Sequence, residues 1–93
     1  MKSKTHFIKI APEFFLAVIK KKKKHEIRYN DRQYRVGDIV VLREYETERR
    51  SYTGRTVVIE ITYLSSFMQK KDVVVFSFDL LAYCSNRKIP LTN

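Results

Sequence analysis

The sequence predicts an α+β fold, mainly β: a small β-barrel of five or six strands with one main helix packed at the barrel opening. Three observations carry this. The chain has 93 residues, room for one small domain spanning 1–93 and no second folded unit. Only one stretch, after Pro12, carries helical spacing, and no second helix longer than two turns is evident. The remainder is a series of β-branched or alternating runs with short connections. A sheet of that many strands in so short a chain hides its edges best by curling, with the helix over an open end.

The first strand is Thr5 to Ile10, where Phe7, Ile8 and Ile10 are spaced by His6 and Lys9. Ala11-Pro12-Glu13 then opens a helix: Pro12 suits the first helical position and Glu13 suits the positive end of the dipole. Its body runs to about Lys20, and the i,i+4 pairs Phe14/Val18 and Phe15/Ile19 predict a broad packing face. Lys20 to Lys24 lie at its negative end, with no glycine there for a left-handed cap. His25 to Asn30 alternates, sending Glu26, Arg28 and Asn30 to one face and His25, Ile27 and Tyr29 to the other.

Asn30-Asp31-Arg32 reads as a turn, Tyr34 to Val36 as a short extended piece, and Gly37-Asp38 as punctuation before the β-branched run Ile39 to Leu42. A long charged loop through Glu46, Glu48, Arg49 and Arg50 to Thr53-Gly54 is expected next. Thr56 to Tyr63 forms the following strand, with Val57, Ile59, Ile61 and Tyr63 on one side. After Lys70-Lys71-Asp72, Val73 to Phe78 is almost continuously apolar, as in a strand buried on both faces. Leu80, Leu81 and Tyr83 either prolong it or form a final turn.

Composition narrows the function. At 44% hydrophobic and 13% aromatic residues the chain fills a modest core, which a disordered chain of equal charge would not. Nineteen Lys and Arg against ten Asp and Glu leave a net charge of +9, which points to a polyanionic partner. The longest apolar run, Phe14 to Ile19, is far short of the ~20 residues of a membrane span, so a cytoplasmic protein without membrane or leader segment is expected. A single cysteine, Cys84, leaves no internal disulfide and no cysteine cage for a metal, and no cofactor motif occurs. His6, His25 and Cys84 have no spacing that resembles a catalytic signature.

Most of the charge is local: residues 20–35 hold eight Lys and Arg and two acids, which is +6 of the +9. This run reads as a phosphate-tracking patch beside Tyr29 and Tyr34, or as a merely solvated lysine face. Glu26 and Arg28, two apart on one strand face, either pair with each other or bind the hydrogen-bonding edge of a ligand. As an exposed pair they would add only about 0–1 kcal/mol, a weak reason for having them.

Lys23-Lys24-His25-Glu26-Ile27-Arg28 resembles the G-x-K-x-x-E-x-R signature of ASCH domains in the PUA-like β-barrel superfamily. Lys23, Glu26 and Arg28 fill its Lys, Glu and Arg positions, and Lys21 stands where the signature has Gly. His6 to Ile10, Pro12 to Phe15, Glu26 to Arg32 and Val36 to Glu44 resemble a bacterial and phage group of small ASCH-like proteins of unknown function, over about two thirds of the chain. The resemblance implies a cleft beside the helix, lined by Lys23, Glu26 and Arg28, with RNA or a nucleotide as ligand.

On that expectation Lys23, Lys24, Arg28 and Arg32 engage phosphate or a base edge. Glu26 and Asn30 hydrogen-bond a base or orient Arg28, and Tyr29 and Tyr34 offer stacking surface. Some ASCH proteins resemble a different class, small amidohydrolases that deacylate acetylcytidine through a Lys-Thr-x-Thr-x-Arg motif with a threonine nucleophile. Here Lys24 and Glu26 occupy the threonine positions, so hydrolysis would need Lys23 and Glu26, with Glu26 activating water. A protein-interaction adaptor, using the charged segment from Glu44 to Arg55, is the third reading.

Overall fold

A computed structural model of the chain describes residues 2–85; residue 1 and residues 86–93 of the expected 1–93 domain lie outside the described residues. The elements in order are β1 (Thr5–Ile10), α1 (Pro12–Ile19), β2 (His25–Tyr29), β3 (Ile39–Glu46), β4 (Ser51–Ser65) and β5 (Val73–Ser85). The five strands form one sheet in the order β1-β3-β4-β5-β2, with β1 parallel to β3 and the other pairs antiparallel. The sheet curls into a half-barrel, the small mainly β architecture with one helix that the sequence predicts. Its two outer strands, β1 and β2, are tied by a side chain: Arg28 Nη2 donates to the carbonyl oxygen of Lys9 at 2.8 Å.

The core follows the period of two. Ile8 and Ile10 of β1, Val40 and Leu42 of β3, Val57, Ile59 and Ile61 of β4, and Val74, Phe76 and Phe78 of β5 all face inward. Tyr63, expected on the same side as Ile61, is instead 65% exposed. A bulge between Ile61 and Tyr63 inserts Thr62 and reverses the alternation, which brings Leu64 against the core. The Val73 to Phe78 run is likewise buried on one face, with Val74, Phe76 and Phe78 inside and Val73, Val75 and Ser77 half-buried.

The expected loop through Glu46 is mostly hairpin. β3 continues to Glu46 and β4 begins at Ser51, leaving Thr47 to Arg50 as the turn. Between the pairs Arg43↔Thr56 and Tyr45↔Tyr52, the single residue Glu44 faces the three residues Thr53, Gly54 and Arg55. Gly54 sits in this bulge with φ 93°, in the left-handed region where a side chain is disfavoured. The stretch from Tyr34 to Val36, expected to be extended, forms no strand, because Tyr34 is drawn inward and the chain turns at Val36-Gly37.

Helix α1 packs on a narrower face than its i,i+4 pairs predict: Phe15 and Val18 are buried, while Phe14 is 48% exposed. Its end is a Schellman turn. The N–H of Lys21 bonds the carbonyl of Val18 and the N–H of Lys22 bonds that of Ala17, each at 2.9 Å. Lys21 takes the left-handed conformation, φ 61°, that glycine favours. Such a conformation costs a side-chain-bearing residue about 1–2 kcal/mol, partly offset by glycine's greater freedom when unfolded. Lys21→Gly is therefore expected to raise the unfolding free energy by about 0.5–1 kcal/mol in urea titrations. A loss of stability would show that the lysine side chain makes a compensating contact.

Candidate functional site

The Schellman turn reverses the chain so that β2 starts only a few residues after the helix, beside the helix N-terminus and β1. In the antiparallel register with β5, Glu26 stands opposite Phe76 and Arg28 opposite Val74, both core residues. The Glu26/Arg28 face is therefore the inner face, and Glu26 is only 4% exposed. The weak exposed ion pair considered from the sequence is thus replaced by a buried carboxylate, which is costly unless fully paired.

Two cations meet that need. Lys23 Nζ donates to Glu26 Oε2 and to the carbonyl oxygen of His25. Arg28 Nε donates to Glu26 Oε1 at 2.9 Å, while its Nη2 reaches across to Lys9. Glu26 thereby fixes both cations at the mouth of a cleft of about 500 Å³ between β1, the start of α1 and β2. Phe14 lines its wall, with Lys23 Nζ 5.7 Å from the ring centroid, and Ile10 and Ile27 add apolar surface.

The other expected site residues divide by location. Lys24 lines a different hollow, between α1 and β5, with Phe78 and Leu80. Asn30 leaves the Glu26/Arg28 face: its Oδ1 accepts the N–H of Tyr34 at 2.8 Å and closes the turn. Tyr34, expected as stacking surface, is buried, its ring 4.8 Å from that of His6 and 5.1 Å from that of Phe76. Burial pushes its phenol above the ordinary value of 10.0, against the opposing pull of Arg28 and Arg32. Tyr29 and Arg32 face a second hollow, of about 350 Å³, whose walls also include Lys9 and Arg28.

A model of a domain of unknown function, DUF3850, matches residues 5–78, from the first residue of β1 to the middle of β5. This chain belongs to the DUF3850 family. It is also similar to the "Uncharacterized 12.9 kDa protein in GpA 3'region" of Escherichia phage P2, at 33% identity over 72 residues. The aligned segment is 74% of this chain and spans 64% of the phage protein's length. The DUF3850 match therefore contains the whole Lys23, Glu26 and Arg28 cleft.

Sequence reasoning passed over two further polar clusters of this DUF3850 domain. Glu44, 1% exposed, accepts a bidentate pair from Arg55 Nε and Nη2, each at 2.7 Å, and the Thr53 hydroxyl at 2.5 Å. The bulge around Gly54 turns both donors onto that one carboxylate. Glu44 raises the pKa of the Arg55 guanidinium, against the effect of burial, with help from Tyr83. Asp38 joins the start of β1 to the turn before β3. It accepts from His6 Nε2 at 2.7 Å and from the backbone N–H groups of Lys4 and Arg35 at 3.0 and 3.1 Å. The one signal for both was an acidic residue in or beside an apolar strand. Among the described residues no three His, Cys, Asp or Glu side chains come together as a metal would need, and no helix is long and apolar enough to cross a membrane.

Proposed function

We propose that this DUF3850 domain is a cytoplasmic binding module for RNA or a nucleotide, and that the ligand enters the cleft at Lys23, Glu26 and Arg28. One observation carries the reading: two cations are locked by a buried carboxylate at the mouth of a cleft with an aromatic wall. Fixed cations suit phosphate or the acceptor edge of a base, and Phe14 offers a surface for a ring. Arg28 has five N–H donors, of which Glu26 and the Lys9 carbonyl engage only part. Membership of the ASCH group within the PUA-like superfamily belongs to the same proposal. Its support is the order of Lys23, Glu26 and Arg28 together with the left-handed backbone of Lys21, the position where the ASCH signature has Gly.

Both oxygens of Glu26 already accept charged hydrogen bonds, which favours a role in orienting Arg28 and Lys23 over activating water. A titration of the labelled protein with the four ribonucleoside monophosphates, followed by NMR, tests the reading. Shifts at Phe14, Lys23, Glu26 and Arg28 are expected, with affinity falling as salt rises and falling about tenfold in Arg28→Ala. Absence of shifts there at every salt concentration would refute it, and release of a product when acetylcytidine is added as a further probe would make the domain an enzyme instead.

A further inference from the structure

The cleft is not isolated. Lys9 and Arg28 line both it and the second hollow, and the hydrogen bond from Arg28 Nη2 to the Lys9 carbonyl forms the sill between the two. Beyond that sill the surface changes character. Phe7 on β1 and Tyr29 on β2 are 57% and 65% exposed, and both rings line the second hollow. Tyr52, at the start of β4, is 40% exposed and completes the hollow.

Cations are interleaved with these rings. The Arg43 guanidinium carbon lies 3.8 Å from the centre of the Tyr52 ring, and Lys9 Nζ lies 4.1 Å from that of Tyr45, whose ring meets Tyr52 edge-on at 5.0 Å. Arg32 projects from the turn after β2 into the same hollow, where Asp31 is the one acid among the lining residues. Rings and cations alternating along a shallow track are the chemistry of single-stranded nucleic acid, whose bases stack while its phosphates follow the cations. A double helix hides its base faces and has no use for the rings.

We infer that the occupant is a single-stranded polynucleotide longer than one nucleotide, one nucleotide in the cleft and its neighbour laid over Arg28 onto Phe7, Tyr29 and Tyr52. This rests on the reading of the cleft as a nucleotide site and extends it to a ligand class. Arg28 then serves both nucleotides, and Arg32 takes the phosphate that follows.

The test compares the affinity of the full chain for UMP and for tetrauridylate, with tetrathymidylate as a third arm, by NMR titration at two salt concentrations. Tetrauridylate is expected to bind at least about tenfold tighter than UMP, with a steeper salt dependence and added shifts at Phe7, Tyr29, Arg32 and Tyr52. In the double variant Tyr29→Ala/Arg32→Ala, two exposed positions, that preference should fall about tenfold. Equal affinity for UMP and tetrauridylate, or a preference that survives the double variant, would overturn the inference and leave the cleft reading standing. Shifts confined to the second hollow would instead remove the cleft reading, and no response to any probe would remove both. Equal binding of tetrathymidylate would place the specificity in the rings and phosphates, and its exclusion would place it in the sugar 2′-hydroxyl or in the space beside uracil C5, which thymine fills with a methyl group.

Discussion

Replacing Arg55 with leucine is expected to destabilise the domain by about 3–5 kcal/mol, the cost of breaking a buried ion pair from one side. A single domain of this size has only about 5–15 kcal/mol in total, so the variant should lose a large share of its stability. The reason lies in Glu44. Its side chain is 1% exposed, and the bidentate guanidinium is what compensates its charge for the loss of water. The Thr53 hydroxyl would remain, but a neutral donor does not replace a cation. Urea unfolding followed by circular dichroism measures the loss. Adding Glu44→Gln to the leucine variant should recover part of it, because the buried charge is then gone. A loss of less than about 1 kcal/mol would mean that the pair acts like a surface salt bridge.

Asp38 controls a second large effect, and its dependence on pH has a definite sign. Burial by itself raises the Asp38 carboxyl, but the hydrogen bond from His6 and those from the backbone N–H groups of Lys4 and Arg35 outweigh it, and the net shift is below the ordinary 3.8. The unfolded chain therefore binds more protons than the folded one as the pH passes below that value. Stability rises with pH across this window: the contribution is present above the unfolded value and is lost as the pH falls through the depressed folded one.

Thermal melts of the native chain from about pH 7 down to about pH 2 should show this loss, and Asp38→Asn should lack it. Asp38→Ala, which strands three donors, should cost about 3 kcal/mol at neutral pH. Parallel acid losses in the native chain and the asparagine variant would remove Asp38 as their source. The same carboxylate fastens the start of β1 to the turn before β3, and β1 supplies Lys9 and Ile10 to the cleft. Loosening it should also weaken any ligand held there.

The bounds of β1 and α1 were legible from local rules alone, because Thr5 to Ile10 alternates and Pro12 opens a short apolar stretch. So was the shared face of Glu26 and Arg28, since a strand's period is two whatever surrounds it. What that face looks upon was not legible. Glu26 is buried because β2 pairs with β5 and sets it opposite Phe76, a contact between residues far apart in the chain. Tyr34 became core rather than stacking surface for a similar reason: the rings of His6 on β1 and Phe76 on β5 converge on it.

The sequence by itself determined the charge, the mainly β class, the single helix and the order of Lys23, Glu26 and Arg28, because composition and period act over a few residues. The tertiary structure decided which of those charges are buried, which ring is exposed and which strand ends meet. The bulge that aims Thr53 and Arg55 at Glu44 needs a partner strand before it exists, and so does the sill that Arg28 makes with Lys9. Burial and cross-strand register are properties of the assembled sheet, and no local pattern contains them.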